Sequence, residues 1–329
     1  MRRVLLSSCL FAAAGLALAV AAPGALAAEV TVVASIKPVH SLVAAVMQGA
    51  GTPHLIVQGG ASPHSYSLKP SDAAAMQRAA VVVWIGEGLE AFLEPAIETL
   101  SGNARVVELA EAPGLRTLDY REGGAWDAHE DEEHEEHEEH EEHEEHAQEE
   151  HEHEHGDIDM HLWLDPDNAK AMVEAVAAAL IAADPGNSGI YMANADSMAQ
   201  RLDQLSQEIE RDLAPVKDVP FVVFHDAFQY LDTRFGLANV GSITVNPENK
   251  PGAARLKEIH AKIEELDARC VFAEPQFEPR LVQVAIEGSN AKTGTLDPLG
   301  ADLADGPELY FELMRRNAAE LKACLGEAS

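Results

Sequence analysis

Nine histidines stand within 27 residues of a single acidic segment. Sixteen Asp or Glu residues lie among them and no Lys or Arg, so this segment cannot contribute to an apolar core. Imidazoles and carboxylates are the groups that bind Zn²⁺ and related ions. We therefore predict that residues 118–156 form a disordered insertion with several weak metal sites. Its candidate ligands are His129, His134, His137, His140, His143, His146, His151, His153 and His155.

A second set of candidate metal ligands lies outside this insertion, at His64, His161, His225 and Asp297. His64 lies in the turn after a predicted strand, His225 directly follows one, and Asp297 follows a third, whereas His161 begins an apolar run. In open α/β sheets, ligands bind beyond the carboxyl ends of the strands. Three imidazoles with a carboxylate or a water molecule suit Zn²⁺. A single histidine in a loop is more often a surface or hydrogen-bonded residue than a ligand, so each of these, taken alone, does not establish a metal site.

The elements that must position these residues alternate between short apolar runs and helical periods. A continuous run such as VVVWI at 81–85 is typical of a strand buried on both faces of a parallel sheet, and HLWL at 161–164 is predicted as another strand. A long polar helix is predicted to end at 213, with a length of about 40 Å. The pattern predicts an α/β fold with two Rossmann-like lobes, each a parallel sheet flanked by helices. One long helix separates the two halves, and a cleft lies between the lobes.

Four segments are predicted along the chain. Residues 1–27 read as a secretory signal peptide, because Arg2 and Arg3 precede an apolar stretch and ALA at 25–27 provides a cleavage site. Residues 28–185 form the N-terminal lobe with its insertion, 186–213 the linker helix and 214–329 the C-terminal lobe. The signal peptide predicts a periplasmic location.

Charge and cysteine content restrict the function further. The formal net charge of −33 excludes binding to nucleic acid through bulk charge and favours attraction of cations. After the signal peptide, two cysteines are left, Cys270 and Cys324. In an exported protein such a pair is most simply a disulfide, and zinc ligation or buried thiols are the alternatives.

From residue 35 to its C-terminus, the chain resembles the ZnuA-type zinc-binding periplasmic proteins of ABC transporters. The matching segments cover nearly all of the chain after the signal peptide, and the His-rich insertion before MHLWLDP is itself typical of these zinc-binding members. They include SIKPVHSLVAAV at 35–46, GASPHSYSLKPSD at 60–72, MHLWLDP at 160–166, FVVFHDAFQYLDTRFGL at 221–237, CVFAEPQF at 270–277 and GTLDPLGAD at 294–302.

This resemblance implies a metal ion between the lobes, held by His64, His161 and His225. Manganese-binding relatives have a carboxylate at the third position, so His225 favours zinc. Asp297 matches the fourth ligand of several relatives, and water serves in others. The resemblance also implies that the helix near 187–213 is a rigid linker between the lobes and that Cys270 and Cys324 are bonded.

We therefore expect a monomeric periplasmic solute-binding protein, not an enzyme, that captures Zn²⁺ and delivers it to the membrane permease of an ABC transporter. The insertion would be an auxiliary zinc-binding or sensing segment, and a periplasmic zinc chaperone is a further candidate partner. A periplasmic zinc buffer or chaperone without a permease and a Mn²⁺-binding relative are the alternatives. A zinc hydrolase or lyase is a third, for which Glu274 is the candidate base.

Overall fold

The computed structural model describes residues 30–121, 158–244, 247 and 251–326. The predicted signal peptide and all nine histidines of the insertion lie outside these residues. The described chain forms two parallel sheets flanked by helices, which confirms the predicted α/β class and its two lobes.

The sheet of the N-terminal lobe has the strand order β2-β1-β3-β4, and every pairing is parallel. Val, Ala and Trp side chains are buried on both faces of the central strands because helices cover the two faces. The strands are β1 (Val32–Ala34), β2 (His54–Leu55), β3 (Val81–Trp84) and β4 (Arg105–Glu108).

Four helices of this lobe have a proline at the first or second helical position. Pro38, Pro70, Pro95 and Pro166 each stand in a first helical turn, where the missing N–H has no partner to lose. Residues 87–100 form two helices separated by a turn at 91–93, and Pro95 stands in the first turn of the second. The helices are α1 (Lys37–Val46), α2 (Pro70–Met76), α3 (Glu87–Glu90), α4 (Glu94–Leu100) and α5 (Pro166–Ala183).

The strand predicted at 161–164 is wrong: Leu162–Leu164 form a turn of 3-10 helix, closed by the Leu164 N–H donating to the His161 carbonyl at 3.2 Å. All three residues are fully buried. The apolar run therefore indicates that these side chains are buried, but not that the backbone is an extended strand. Asp165 caps α5 directly afterwards, which leaves no length for a strand.

The C-terminal lobe repeats the parallel arrangement with the strand order β6-β5-β7-β8. The predicted disulfide between Cys270 and Cys324 is confirmed, and it ties β7 to α10. The elements are β5 (Phe221–His225), α7 (Gln229–Phe235), β6 (Asn239–Thr244), α8 (Ala253–Glu265), β7 (Cys270–Ala273), α9 (Arg280–Ala285), β8 (Lys292–Thr295) and α10 (Leu309–Gly326).

The predicted long helix is α6 (Ser188–Leu213), whose 26 residues span about 39 Å. One face of it carries the buried side chains Met198, Leu202, Leu205 and Ile209. It packs against α1 and α5 of the N-terminal lobe and against α10 of the C-terminal lobe. Residues of both lobes consequently belong to one continuous apolar core.

Hydrogen bonds also join the lobes directly. Buried Lys37 of α1 donates to the carbonyls of Ala301 and Leu303 at 3.2 and 2.7 Å. The Trp163 indole donates to the Pro298 carbonyl at 2.8 Å, and the Tyr310 hydroxyl donates to the Trp163 carbonyl at 2.7 Å. Within the described residues, no helix combines the length and apolarity needed to cross a membrane.

Candidate metal centre

Three short local structures bring His64, His161 and His225 together. His64 lies in a 3-10 turn (Pro63–Ser65) that Ser62 caps by accepting the His64 N–H at 3.3 Å. His161 immediately precedes the turn at 162–164, and His225 is the last residue of β5. Two of the histidines therefore come from the N-terminal lobe and one from the C-terminal lobe.

The three rings form a compact cluster. Their centroids lie 5.6 Å apart for His64 and His161, 5.7 Å for His64 and His225, and 5.1 Å for His161 and His225. One nitrogen from each ring lies within 4.8 Å of the other two. The Nε2 atoms of His161 and His225 are 3.3 Å apart. Two nitrogens that each bind tetrahedral Zn²⁺ at about 2.0–2.1 Å are separated by about 3.3 Å, so this pair already has the spacing of zinc ligands.

Two buried carboxylates orient the histidines, and sequence analysis missed this role. Asp159 Oδ1 accepts both the Nδ1–H of His161 at 2.7 Å and its backbone N–H at 3.0 Å. Glu274 Oε1 accepts the same two groups of His225 at 2.5 and 3.1 Å. A carboxylate accepts but does not donate, so the proton of each ring is fixed on Nδ1 and Nε2 is left to bind a metal. The spacing D-x-H at 159–161 was the only sequence signal for Asp159.

The electrostatics of the cluster favour a cation. Burial opposes charge on His225, but the Glu274 carboxylate outweighs burial and raises the pKa of this ring. Burial, together with the two neighbouring imidazoles, lowers the pKa of His64 well below its usual value. His64 is therefore neutral at pH 7, which is the form that binds metal ions.

We expect Asp159→Asn and Glu274→Gln each to weaken zinc binding about 10- to 100-fold, because each change removes the negative charge that holds an imidazole in its orientation. Competition with a zinc chelator measures the affinity. Glu278→Gln, an exposed carboxylate of the same loop, is the matched control and should bind as the unchanged protein does. Equal affinities in all four proteins would contradict the assigned role.

Asp297 lies outside the histidine cluster. Its Oδ1 accepts the backbone N–H groups of Leu299 and Gly300, both at 2.9 Å, and the Gln276 side-chain amide at 2.8 Å. Its Oδ2 accepts the Ala301 N–H at 2.6 Å. With four donors on two oxygens, Asp297 organises the loop 297–301, and this arrangement does not bring it to the three rings.

Residues 118–121, predicted as the start of the disordered insertion, are instead held by hydrogen bonds and ion pairs, and together with residues 158–159 they meet on α7. The Leu118 N–H donates to the Tyr230 hydroxyl at 3.0 Å, and that hydroxyl donates to the Asp159 carbonyl at 2.8 Å. Arg121 forms ion pairs with Asp226, the neighbour of His225, and with Asp232. Burial raises the pKa of Asp232 to about 6, although Arg121 opposes this rise. The ends of the insertion are thus bonded to the lobe that supplies His225.

The cluster lines a cavity of about 10 Å³, together with Glu274, Gln276 and Phe277. A cavity of this size holds about one water molecule. It can therefore accept an ion with one small additional ligand.

Fold and site together define a two-lobe α/β protein with a preformed three-histidine cluster, of the kind that binds a transition-metal ion. The comparisons with known proteins narrow this class. Residues 32–324 match the model of the ZnuA family, described as zinc-uptake complex component A, periplasmic. The high-affinity zinc uptake system protein ZnuA of Brucella suis is 53% identical over 306 residues, which is 90% of this chain and 92% of that protein.

A solved structure agrees with this match. The laminin-binding protein Lmb of Streptococcus agalactiae has a TM-score of 0.71 at 26% identity, covering 90% of this chain and 99% of that one. The periplasmic zinc-binding protein TroA of Treponema pallidum has a TM-score of 0.74 at 21% identity, covering 90% and 99%, and shows the shared fold. The chain belongs to the ZnuA family, the periplasmic zinc-binding components of zinc-uptake systems.

Proposed function

We propose that this protein captures Zn²⁺ in the periplasm with His64, His161 and His225 and delivers it to the permease of an ABC transporter. The observation that carries the proposal is the preformed cluster of three imidazoles, two of them held by buried carboxylates. The matching family description and the names of the relatives point to the same cargo.

Zinc is favoured over manganese by the donor set. Imidazole nitrogens suit Zn²⁺, whereas Mn²⁺ prefers carboxylate, carbonyl and water oxygens. The nearest carboxylates, Asp159 and Glu274, each hold a histidine through one oxygen. In this proposal, a water molecule and not Asp297 completes the coordination.

The proposal also separates transport from catalysis. Glu274, the candidate base of a zinc hydrolase, accepts two hydrogen bonds from His225 through a single oxygen. In this view the protein works as a monomer without chemistry of its own, and residues 1–27 direct it to the periplasm. The insertion, with its nine histidines, raises the local zinc concentration or senses the supply.

Zinc uptake by cells tests the proposal. Deletion of the gene should slow uptake of labelled Zn²⁺ at limiting zinc, because the permease would lose its zinc donor. The deletion strain should also grow poorly at limiting zinc. High external zinc or the intact gene should restore its growth, whereas a gene that encodes His161→Ala should not. A protein that only buffers zinc would leave the initial rate of uptake unchanged, which would contradict the proposal.

A further inference from the structure

Gln276 links the three-histidine cavity to Asp297. It follows β7 by three residues and lines the same cavity as His64, His161 and His225. Its side-chain Nε2 donates to Asp297 Oδ1 at 2.8 Å. The carboxamide therefore stands between the cluster and the carboxylate that lies outside it.

The orientation of this carboxamide follows from its partner. Asp297 already accepts three backbone N–H groups, and an ionised carboxylate has nothing to donate, so the NH₂ group of Gln276 must face it. The carbonyl Oε1 then points away from Asp297. Among the described residues, this oxygen is buried and has no hydrogen-bond partner. A buried oxygen without a hydrogen-bond partner destabilises a protein by about 1–3 kcal/mol. We therefore expect a hydrogen-bond donor for it inside the cavity.

The zinc site itself supplies that donor. Three imidazoles leave one position of a tetrahedral ion open, and a water molecule is its usual fourth ligand. Glu274 also lines this cavity: its Oε1 orients His225, and its Oε2 is a second buried oxygen without a hydrogen-bond partner among the described residues. A water bound to zinc is a strong donor, because the ion withdraws electrons from it.

We infer that Gln276 Oε1 accepts a hydrogen bond from the water molecule that completes the zinc coordination. Asp297 acts through Gln276, as a positioning residue for the amide and not as a ligand. This inference rests on the proposed function, because it concerns the same bound ion. The fourth zinc ligand is then a water molecule, and the neutral carboxamide of Gln276 holds that water in place.

Gln276→Met tests the inference, since methionine keeps the length of the side chain but has no strong acceptor. We expect zinc affinity to fall about tenfold in chelator competition. With Co²⁺ in place of zinc, the visible absorption bands should shift, because the water at the fourth position loses its acceptor. Gln283→Met, an exposed glutamine on α9, is the matched control and should change neither reading.

Thermal unfolding of the metal-free proteins separates this role from a structural one. Gln276→Met removes the unpaired oxygen and also the hydrogen bond to Asp297 Oδ1, which still accepts from the backbone N–H groups of Leu299 and Gly300. These two losses oppose each other, so the midpoint should change little, and weaker zinc binding would then not result from damage to the fold. Unchanged affinity and unchanged Co²⁺ bands in Gln276→Met would overturn the inference and leave the proposed function standing. Absence of a tight zinc site in the unsubstituted protein would overturn both.

Discussion

Replacement of His64, His161 and His225 by alanine is expected to abolish the single tight zinc site. Structural zinc sites bind with about 10–16 kcal/mol, so each of three imidazoles contributes on the order of 3–5 kcal/mol. A single substitution should then weaken binding about 10²- to 10⁴-fold, and the triple substitution should leave no tight site. Each variant also leaves a vacant ligand position that water fills less well than imidazole.

Isothermal titration of the metal-free proteins with Zn²⁺ measures this loss. His260→Ala is the matched control, because the His260 Nδ1–H donates to the Ala285 carbonyl, away from the cluster. Deletion of residues 129–155 should remove only weaker sites and leave the tight one. A tight site that survives the triple substitution would show that the cluster is not where zinc binds.

Glu90→Gln is expected to stabilise the folded protein at neutral and higher pH, where an ionised Glu90 lowers the free energy of unfolding. Glu90 is fully buried, and burial raises the pKa of its carboxyl to about 7, against the backbone N–H groups of Ile85 and Gly86 that favour its charge. In the unfolded chain this group has its usual pKa of 4.5. Between these two values the folded protein holds a proton that the unfolded chain has released. The free energy of unfolding therefore falls as pH rises from 4.5 to 7, by about 3 kcal/mol in total.

The amide introduced by Glu90→Gln does not titrate, but it still accepts from the Ile85 and Gly86 N–H groups. The variant should therefore gain stability relative to the unsubstituted protein between pH 5 and pH 8, by most of those roughly 3 kcal/mol. Urea unfolding of the metal-free proteins at both pH values measures the difference. Glu87→Gln, an exposed change in the same helix, is the control. A stability difference that is the same at both pH values would refute the role of Glu90.

Some features were predictable because a local pattern determines them. The continuous run at 81–85 indicated a buried parallel strand, and the narrow apolar stripe of α6 indicated a helix packed along one side. The three histidines came from the resemblance more than from spacing, because no single histidine distinguishes a ligand from a core residue. Their convergence depends on the packing of two lobes, which involves residues up to 161 positions apart.

Other features were not predictable, for equally physical reasons. An apolar run as short as 161–164 is compatible with a strand and with a buried turn. The turn forms here because Asp165 caps α5 directly after it. Asp297 precedes a proline and could bind a metal or organise a loop. The backbone N–H groups of Leu299, Gly300 and Ala301 donate to its carboxylate and support the loop role that we propose, and the sequence does not show these contacts. The roles of Asp159 and Glu274 depend on which oxygen faces which ring, and composition does not encode this.

The union of the lobes through α10 has a consequence for the order in which the chain can fold. Ser41 of α1 accepts the Tyr310 backbone N–H at 3.0 Å, across 269 residues, and α1 packs directly on α10. Within the described chain, α1 is the first helix and α10 the last, so α1 can pack on α10 only after nearly the whole chain has been synthesised. Contacts this distant in sequence slow folding, because a long loop must close before they form. A chain that ends before residue 309 would contain the whole N-terminal lobe but would lack α10, which packs against α1 of that lobe.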